Sequence, residues 1–465
     1  MPKIIPPELK INESDPFSKD LDLFERKSFG EDLINLLSRI DENIVIFINA
    51  PWGEGKTTFC KMWCAELFRR KKAAIYFDAY ANDYFEDPFV AFTANIYKFI
   101  DDKFDKSETS QKRKKEKFKR TAAKLGKGFL TLGAKAGISA LMLGALRAAD
   151  MKELTENLKD TIGEVSSKSS ELLEKQIEEY AAKEENVKTF KKSLAEIAKE
   201  IKDIQGFPLT IVIDELDRCR PDFALRLLER IKHFFDVPNV AFLLFINKEQ
   251  LERYISLVYG GDNNADAHNY LQKFAHLSAE LPMNRKGENN DDYSVFCDHL
   301  FSYYSLKMGP DDPSSLKDIL VMLCFHYQLS LREIGKVFSV LSIYYASLPR
   351  GKFSDPIMVA LLATIKIKSP KLYLNLSKGI VDFNTFSEEF DLKNFEKTVL
   401  TRRRSGSMDY FRKLLRSFLK SNGTKQADSD SSIESIEVSL LNYNLLPKQV
   451  IPLICKRLDT FKINV

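Results

Sequence analysis

The chain of 465 residues is poor in the residues that brace small folds or build metal centres: it has six cysteines, five histidines and two tryptophans. Cys60, Cys64, Cys219, Cys297, Cys324 and Cys455 are too sparse for a disulfide framework and form no C-x-x-C pair. With the histidines scattered as well, no metal site of Cys and His is expected. Charge of one sign is also lacking. Charged residues make up 29% of the chain, yet the net charge is only +4. That excludes a global field of the kind that marks nucleic-acid or membrane binders, and leaves only local patches to argue from. The first residues, "MPKIIPPELKINESDPF", hold no apolar h-region, so a secretory signal is not expected and a cytoplasmic home is.

What is present is an ordinary globular share of apolar residues, 44%. At roughly 100–200 residues per domain the length suggests about two or three domains. Apolar Phe29, Leu33, Leu36, Leu37 and Ile40 recur at helical spacing. "NIVIFINA" follows as a strand-length apolar run, then "APWGEG" breaks it and a helix is expected from Thr57 to Arg70. "AAIYFDAY" reads as a second strand, and residues 88–100 as a helix. Farther on, "LTIVIDEL" and "VAFLLFIN" are buried-strand candidates separated by the helical "DFALRLLERIKHFF". Alternation of strand and helix predicts a parallel sheet covered on both faces. After Leu281 the pattern is mainly helical, interrupted by the low-complexity "SNGTKQADSDSSIES".

Between the second and third strands the character changes. The stretch "QKRKKEKFKR", Lys112–Arg120 at its centre, is strongly basic, and Phe129–Ala149 is apolar and rich in small residues. A transmembrane helix needs about 20 mostly apolar residues. Lys135 and Arg147 interrupt this stretch, so spanning is not favoured. Contact with a membrane surface, with nucleic-acid phosphates or with protein remain alternatives. Residues 167–204 read as a charged amphipathic helix or hairpin with Phe190, Leu194, Ile197, Ile201 and Ile204 as its stripe.

The chemistry lies at two strand ends. A phosphate loop follows a buried strand, opens a helix and reads G-x-x-x-x-G-K-[ST]. Here Ala50, Pro51, Trp52, Gly53, Glu54, Gly55, Lys56, Thr57 and Thr58 fill that place, with alanine where the first glycine stands in the strict pattern. Gly53 and Gly55 let the backbone approach phosphates, Lys56 supplies charge and Thr57 a hydroxyl for Mg2+. Ala50 is tolerable if its φ is negative. The second strand end carries Asp214, placed to hold Mg2+ from a neighbouring strand, and Glu215, placed to polarise an attacking water. Asn247, at the end of the strand beside the acid strand, is a candidate for contact with the γ-phosphate or the water, or a simple strand-end cap. A guanine-specific loop would read N-K-x-D; Asn247, Lys248, Glu249, Gln250 lacks the aspartate, which favours ATP.

"APWGEGKTT", "IVIDELDRCRPDFALRLLERIKHFFDVPNVAFLLFIN" and "YLQKF" together resemble the KAP family of P-loop NTPases, over roughly residues 15–280. The resemblance implies an ATP- and Mg2+-binding ATPase core with a five-stranded parallel sheet, in a chain of α/β class with a mainly α-helical C-terminal region. It also implies a helical insertion between the second strand and the acid strand, in this family often transmembrane. The expected organisation is an arm and first half of the core over 1–100, the insertion over 101–206, the second half over 207–281 and a helical region over 282–465. By the same resemblance Leu23, Phe24 and Arg26 lie near the base or its supporting shell. Trp52 matches a tryptophan common in the family, there for packing or for purine contact. Arg218 and Arg220 are either arginines that reach a neighbouring subunit's γ-phosphate or partners of Asp217 or Asp222. Arg332 is either a second phosphate sensor or an exposed arginine. The expected function is a nucleotide-driven conformational or assembly switch. Bacterial relatives often occur in anti-phage defence. A homo-oligomer or a protein effector is the expected partner. The alternatives are a scaffold with little hydrolysis and a membrane-associated ATPase.

Overall fold

A computed structural model describes residues 10–104, 167–260, 264–284, 291–306, 313–349, 351–401, 405–419 and 440–461, with Lys3, Pro7, Arg120 and Val438. Most of the basic run and all of the apolar stretch at 129–149 lie outside the described residues. Among those described, no helix is long and apolar enough to cross a membrane.

The chain opens with helix α1 (Lys27–Arg39), β1 (Ile44–Asn49), α2 (Lys56–Arg69), β2 (Ala74–Asp78) and α3 (Pro88–Phe104). Next among the described residues come α4 (Ser167–Gln205), within the expected insertion, and then β3 (Leu209–Asp214), α5 (Pro221–Ile231), β4 (Val240–Ile246), α6 (Lys248–Tyr259), α7 (Asn264–Gln272) and β5 (Leu277–Glu280). The strands form one five-stranded sheet in the order β2-β3-β4-β1-β5, and every pairing is parallel. β3 and β4 are buried along their whole length. Parallel strands covered on both faces show such unbroken apolar runs.

Alternation along the strands divides the core in two. Val45, Phe47, Ile211, Ile213, Phe242 and Leu244 face a cluster shared with α3, α4 and α5. Ile44, Ile46, Ile48, Val212, Leu243 and Phe245 face the cluster shared with α1 and α2. Each such fully buried side chain contributes about 1.5–3 kcal/mol. In α4, a single helix and not a hairpin, Phe190, Leu194, Ile197 and Ile201 are buried as the stripe predicts. Ile204 departs from the prediction: it is 69% exposed, one turn before Gly206 leads the chain away. β5 has no apolar run in the sequence, because it is short and its side chains are mostly exposed at the sheet edge.

From Asp292 onward the described chain is helical and has its own core, including Leu320, Phe338, Leu361 and Phe411. Its helices include α8 (Asp292–Tyr304), α9 (Pro313–Tyr327) and α10 (Leu331–Ser347). α10 starts with a capping box: Ser330 Oγ accepts the Glu333 N–H, and the Glu333 carboxylate accepts the Ser330 N–H at 2.8 Å. Such a box satisfies two N-terminal donors at once and fixes where the helix begins.

Candidate functional site

The loop between β1 and α2 is shaped by two glycines. Gly53 has φ +86° and Gly55 φ +79°, a region that L side chains avoid. Ala50 is fully buried and is not among the positive-φ residues. Its N–H donates to the Ile246 carbonyl at 3.1 Å, which continues the β1–β4 ladder. A β-carbon is therefore harmless at the first position of the motif, while the turn that needs glycine comes later. Pro51 and Trp52 are exposed, Glu54 and Lys56 buried, and Thr57 and Thr58 half-buried on the first turn of α2.

Lys56 Nζ donates to the Ala50 carbonyl at 2.6 Å and to the Pro51 carbonyl at 3.2 Å. Burial pushes its pKa down, while the Asp217 and Asp214 charges push it up. Thr57 Oγ1 donates to Glu215 Oε1 at 2.8 Å. That contact joins residues 158 positions apart and brings the two strand-end motifs together.

Asp214 closes β3 and has no solvent exposure. Its carboxylate accepts the Glu215 N–H at 2.9 Å and the Tyr76 hydroxyl at 3.2 Å. Burial, and next the Glu215 charge, raise its pKa to about 6. Glu215 holds φ +60° and pairs with Arg218 at 2.7 Å. The acid strand is not the immediate neighbour of β1, as the sequence reading supposed: β4 lies between them. The order puts Asn247, just past β4, between the loop and the acid turn. Its Oδ1 accepts the Gln250 N–H and caps α6.

Some side chains near the loop find partners that local spacing does not give. Arg218 pairs with Glu215, and Arg220 makes three hydrogen bonds with Asp83, in place of the expected Asp217 or Asp222. Trp52 is 41% exposed, and its indole N–H donates to Asp217 Oδ2. Arg332 is exposed, as one of its two expected readings has it, and its main chain also meets the loop. Its N–H donates to the Gly53 carbonyl at 3.2 Å. Its guanidinium pKa is held down by burial and by the nearby Arg218 charge, against the pull of Glu215.

Arg26 is 3% exposed, donating to the Glu54 carbonyl and to the Pro282 carbonyl, each at 2.9 Å. It also lies over the Phe24 ring, which packs on Phe296 of α8. It therefore ties the N-terminal segment, the phosphate loop and the start of the helical region together. Sequence reasoning named Asp217 only as an arginine partner and gave no role to Tyr76 or Ser330. Asp217 was the most findable, since it stands three residues past Asp214 in a turn that has to close beside the loop.

A family model described as the KAP family P-loop domain matches residues 26–348. The match runs beyond the stretch on which the resemblance rests and takes in α8, α9 and α10. Among solved structures, the ORC2 protein of Aeropyrum pernix, in ADPNP–ADP complexes, is similar at 12% identity. That likeness covers 98% of this chain and 95% of that one with a TM-score of 0.33, too low to bear on the fold. A search of the curated proteins gave no match.

Proposed function

The chain belongs to the KAP family of P-loop proteins, and from that premise we propose that it binds Mg2+-ATP between the phosphate loop and the acid turn, hydrolyses it, and passes the nucleotide state to its helical region. The observation that carries this reading is the Thr57–Glu215 hydrogen bond, which sets the loop's hydroxyl beside the paired acids.

The donor set fits a divalent cation. Asp214 is a buried carboxylate next to a second one, and burial, then the Glu215 charge, raise its pKa, which a cation would offset. Among the described residues no group of three or more His, Cys, Asp or Glu could hold a metal alone, so Mg2+ here depends on nucleotide phosphates as further ligands. Thr57 and Asp214 would hold it, and it would neutralise charge on the phosphates.

The protein's own residues do the rest. The N–H groups at the start of α2, with the helix dipole, face the phosphates. Lys56 leaves the Ala50 and Pro51 carbonyls for the phosphate oxygens. Glu215 orients and polarises the water, and Asn247, between loop and acid turn, has a side-chain amide within the same region. ATP is favoured over GTP because Gln250 stands where guanine recognition needs aspartate. Arg332 supports the switch: its N–H ties α10 to the loop, so a change in the loop reaches the helical region directly. We further propose the core as residues 1–100 and 207–281, and a homo-oligomer or a protein effector as partner.

A second reading has an observation of its own. Glu215 is engaged by Thr57 and Arg218 together, and a glutamate so held is not free to activate water. A scaffold with slow turnover would show that arrangement permanently. Steady-state phosphate release separates the two. Under the first reading Glu215→Gln keeps Mg2+-ATP affinity and loses about 10²-fold or more in turnover. Equal turnover by wild type and Glu215→Gln rejects that role for Glu215.

A further inference from the structure

The acid turn holds another carboxylate, Asp217, only 1% exposed. Its Oδ2 accepts the Trp52 indole N–H and stands 3.7 Å from Lys56 Nζ. Its Oδ1 is buried with no hydrogen-bond partner among the described residues. Its main-chain oxygen accepts the Tyr254 hydroxyl at 3.0 Å, so α6 braces the turn from behind. A buried carboxylate is costly unless a counter-charge and donors face it. Here both come from the phosphate loop. The other charges around Lys56 are Asp214 at the end of β3 and Arg218 in the same turn.

Trp52 sharpens the point. The ring is partly exposed, and its indole N–H is oriented by the hydrogen bond to Asp217. The same oxygen therefore grips the loop at its tip and at its lysine.

We propose that Asp217 is a positioning residue for the phosphate loop: its carboxylate ties Trp52 and Lys56 to the acid turn, so that loop and acids are held as one unit before nucleotide arrives. The proposal rests on the P-loop reading above, but its first test needs no nucleotide. When a triphosphate draws Lys56 away, the Trp52 bond remains and keeps the loop in register with Asp214.

The two tryptophans make this measurable. Trp63 is fully buried and donates to the Gly30 carbonyl, so it gives a constant background. Subtracting the emission of Trp52→Phe isolates Trp52. Asp217→Asn keeps an acceptor for the indole but loses the charge facing Lys56, whereas Asp217→Ala loses both. In the absence of nucleotide, Trp52 emission should match wild type in Asp217→Asn and shift to the red in Asp217→Ala. Mg2+-ATP affinity should fall about tenfold in Asp217→Asn and further in Asp217→Ala. Near-ultraviolet circular dichroism and the Trp63 emission check that both variants fold, and the near-isosteric Asn variant carries the test if Ala does not. Unchanged Trp52 emission in a folded Asp217→Ala, or wild-type affinity in Asp217→Asn, overturns the proposal. If wild type binds no Mg2+-ATP, the P-loop reading fails, while the emission shift still decides whether Asp217 holds Trp52.

Discussion

The phosphate loop has two sides, and they are held by unlike means. On the sheet side, Ala50 continues the ladder to β4, and Lys56 and Trp52 both reach Asp217. On the helical side, the Gly53 carbonyl takes the Arg332 N–H, and the Glu54 carbonyl takes the Arg26 guanidinium. The first set combines a main-chain ladder bond with side chains that meet Asp217 of the acid turn. The second uses main-chain oxygens of the loop itself. The hydrogen bond from Arg332 to Gly53 joins the loop to the start of α10, and the proposed switch rests on that link.

The sheet side should give the largest response. Asp214→Asn removes a proposed Mg2+ ligand, and turnover should drop about 10²-fold or more. The same change should stabilise the nucleotide-free protein. An acid whose folded pKa lies above its unfolded value binds a proton on folding, so its contribution becomes unfavourable as pH rises from about 4 to about 6. Removing the charge should therefore add about 1–2 kcal/mol at neutral pH and flatten the fall in melting temperature over that window. A melting temperature equal to wild type at pH 7 would show that Asp214 is not strained by its burial.

The helical side is tested at Gly53. A β-carbon there would meet Ser330 Oγ at 2.9 Å and Arg332 Cβ at 3.0 Å, on a backbone with φ +86°. Gly53→Ala should cost about 1–3 kcal/mol in a denaturant melt and loosen hydrogen exchange at the start of α10. Protection of residues 331–335 unchanged in that variant would break the link between loop and helix.

Ala50→Gly should have the smallest effect. Ala50 is buried in the cluster between the sheet and helices α1 and α2, and its φ does not require glycine. A loss of up to about 1 kcal/mol from added chain entropy is expected, with Mg2+-ATP affinity unchanged. A gain in affinity would mean that the β-carbon hinders the loop after all.

The same contrast explains what the sequence reveals. The strands β1, β3 and β4 are apolar runs bounded by polar turns, and the residues that bear chemistry follow them directly, so core and motifs can be read from the sequence. β5 escapes the pattern because an exposed edge strand of four residues has no periodicity to detect. The partner of Arg220 escapes for another reason. Asp83 is brought to Arg220 by the turn after β2, 137 positions earlier, and no local spacing records that. The Arg332–Gly53 contact is invisible in principle, since both atoms belong to the main chain.

The most direct test is equilibrium binding of Mg2+-ATP to wild type and Lys56→Ala. Saturable binding by wild type, weakened about 10²-fold or more by the substitution in a protein that still folds, is what a working phosphate loop requires. Equal binding by the two proteins would contradict it.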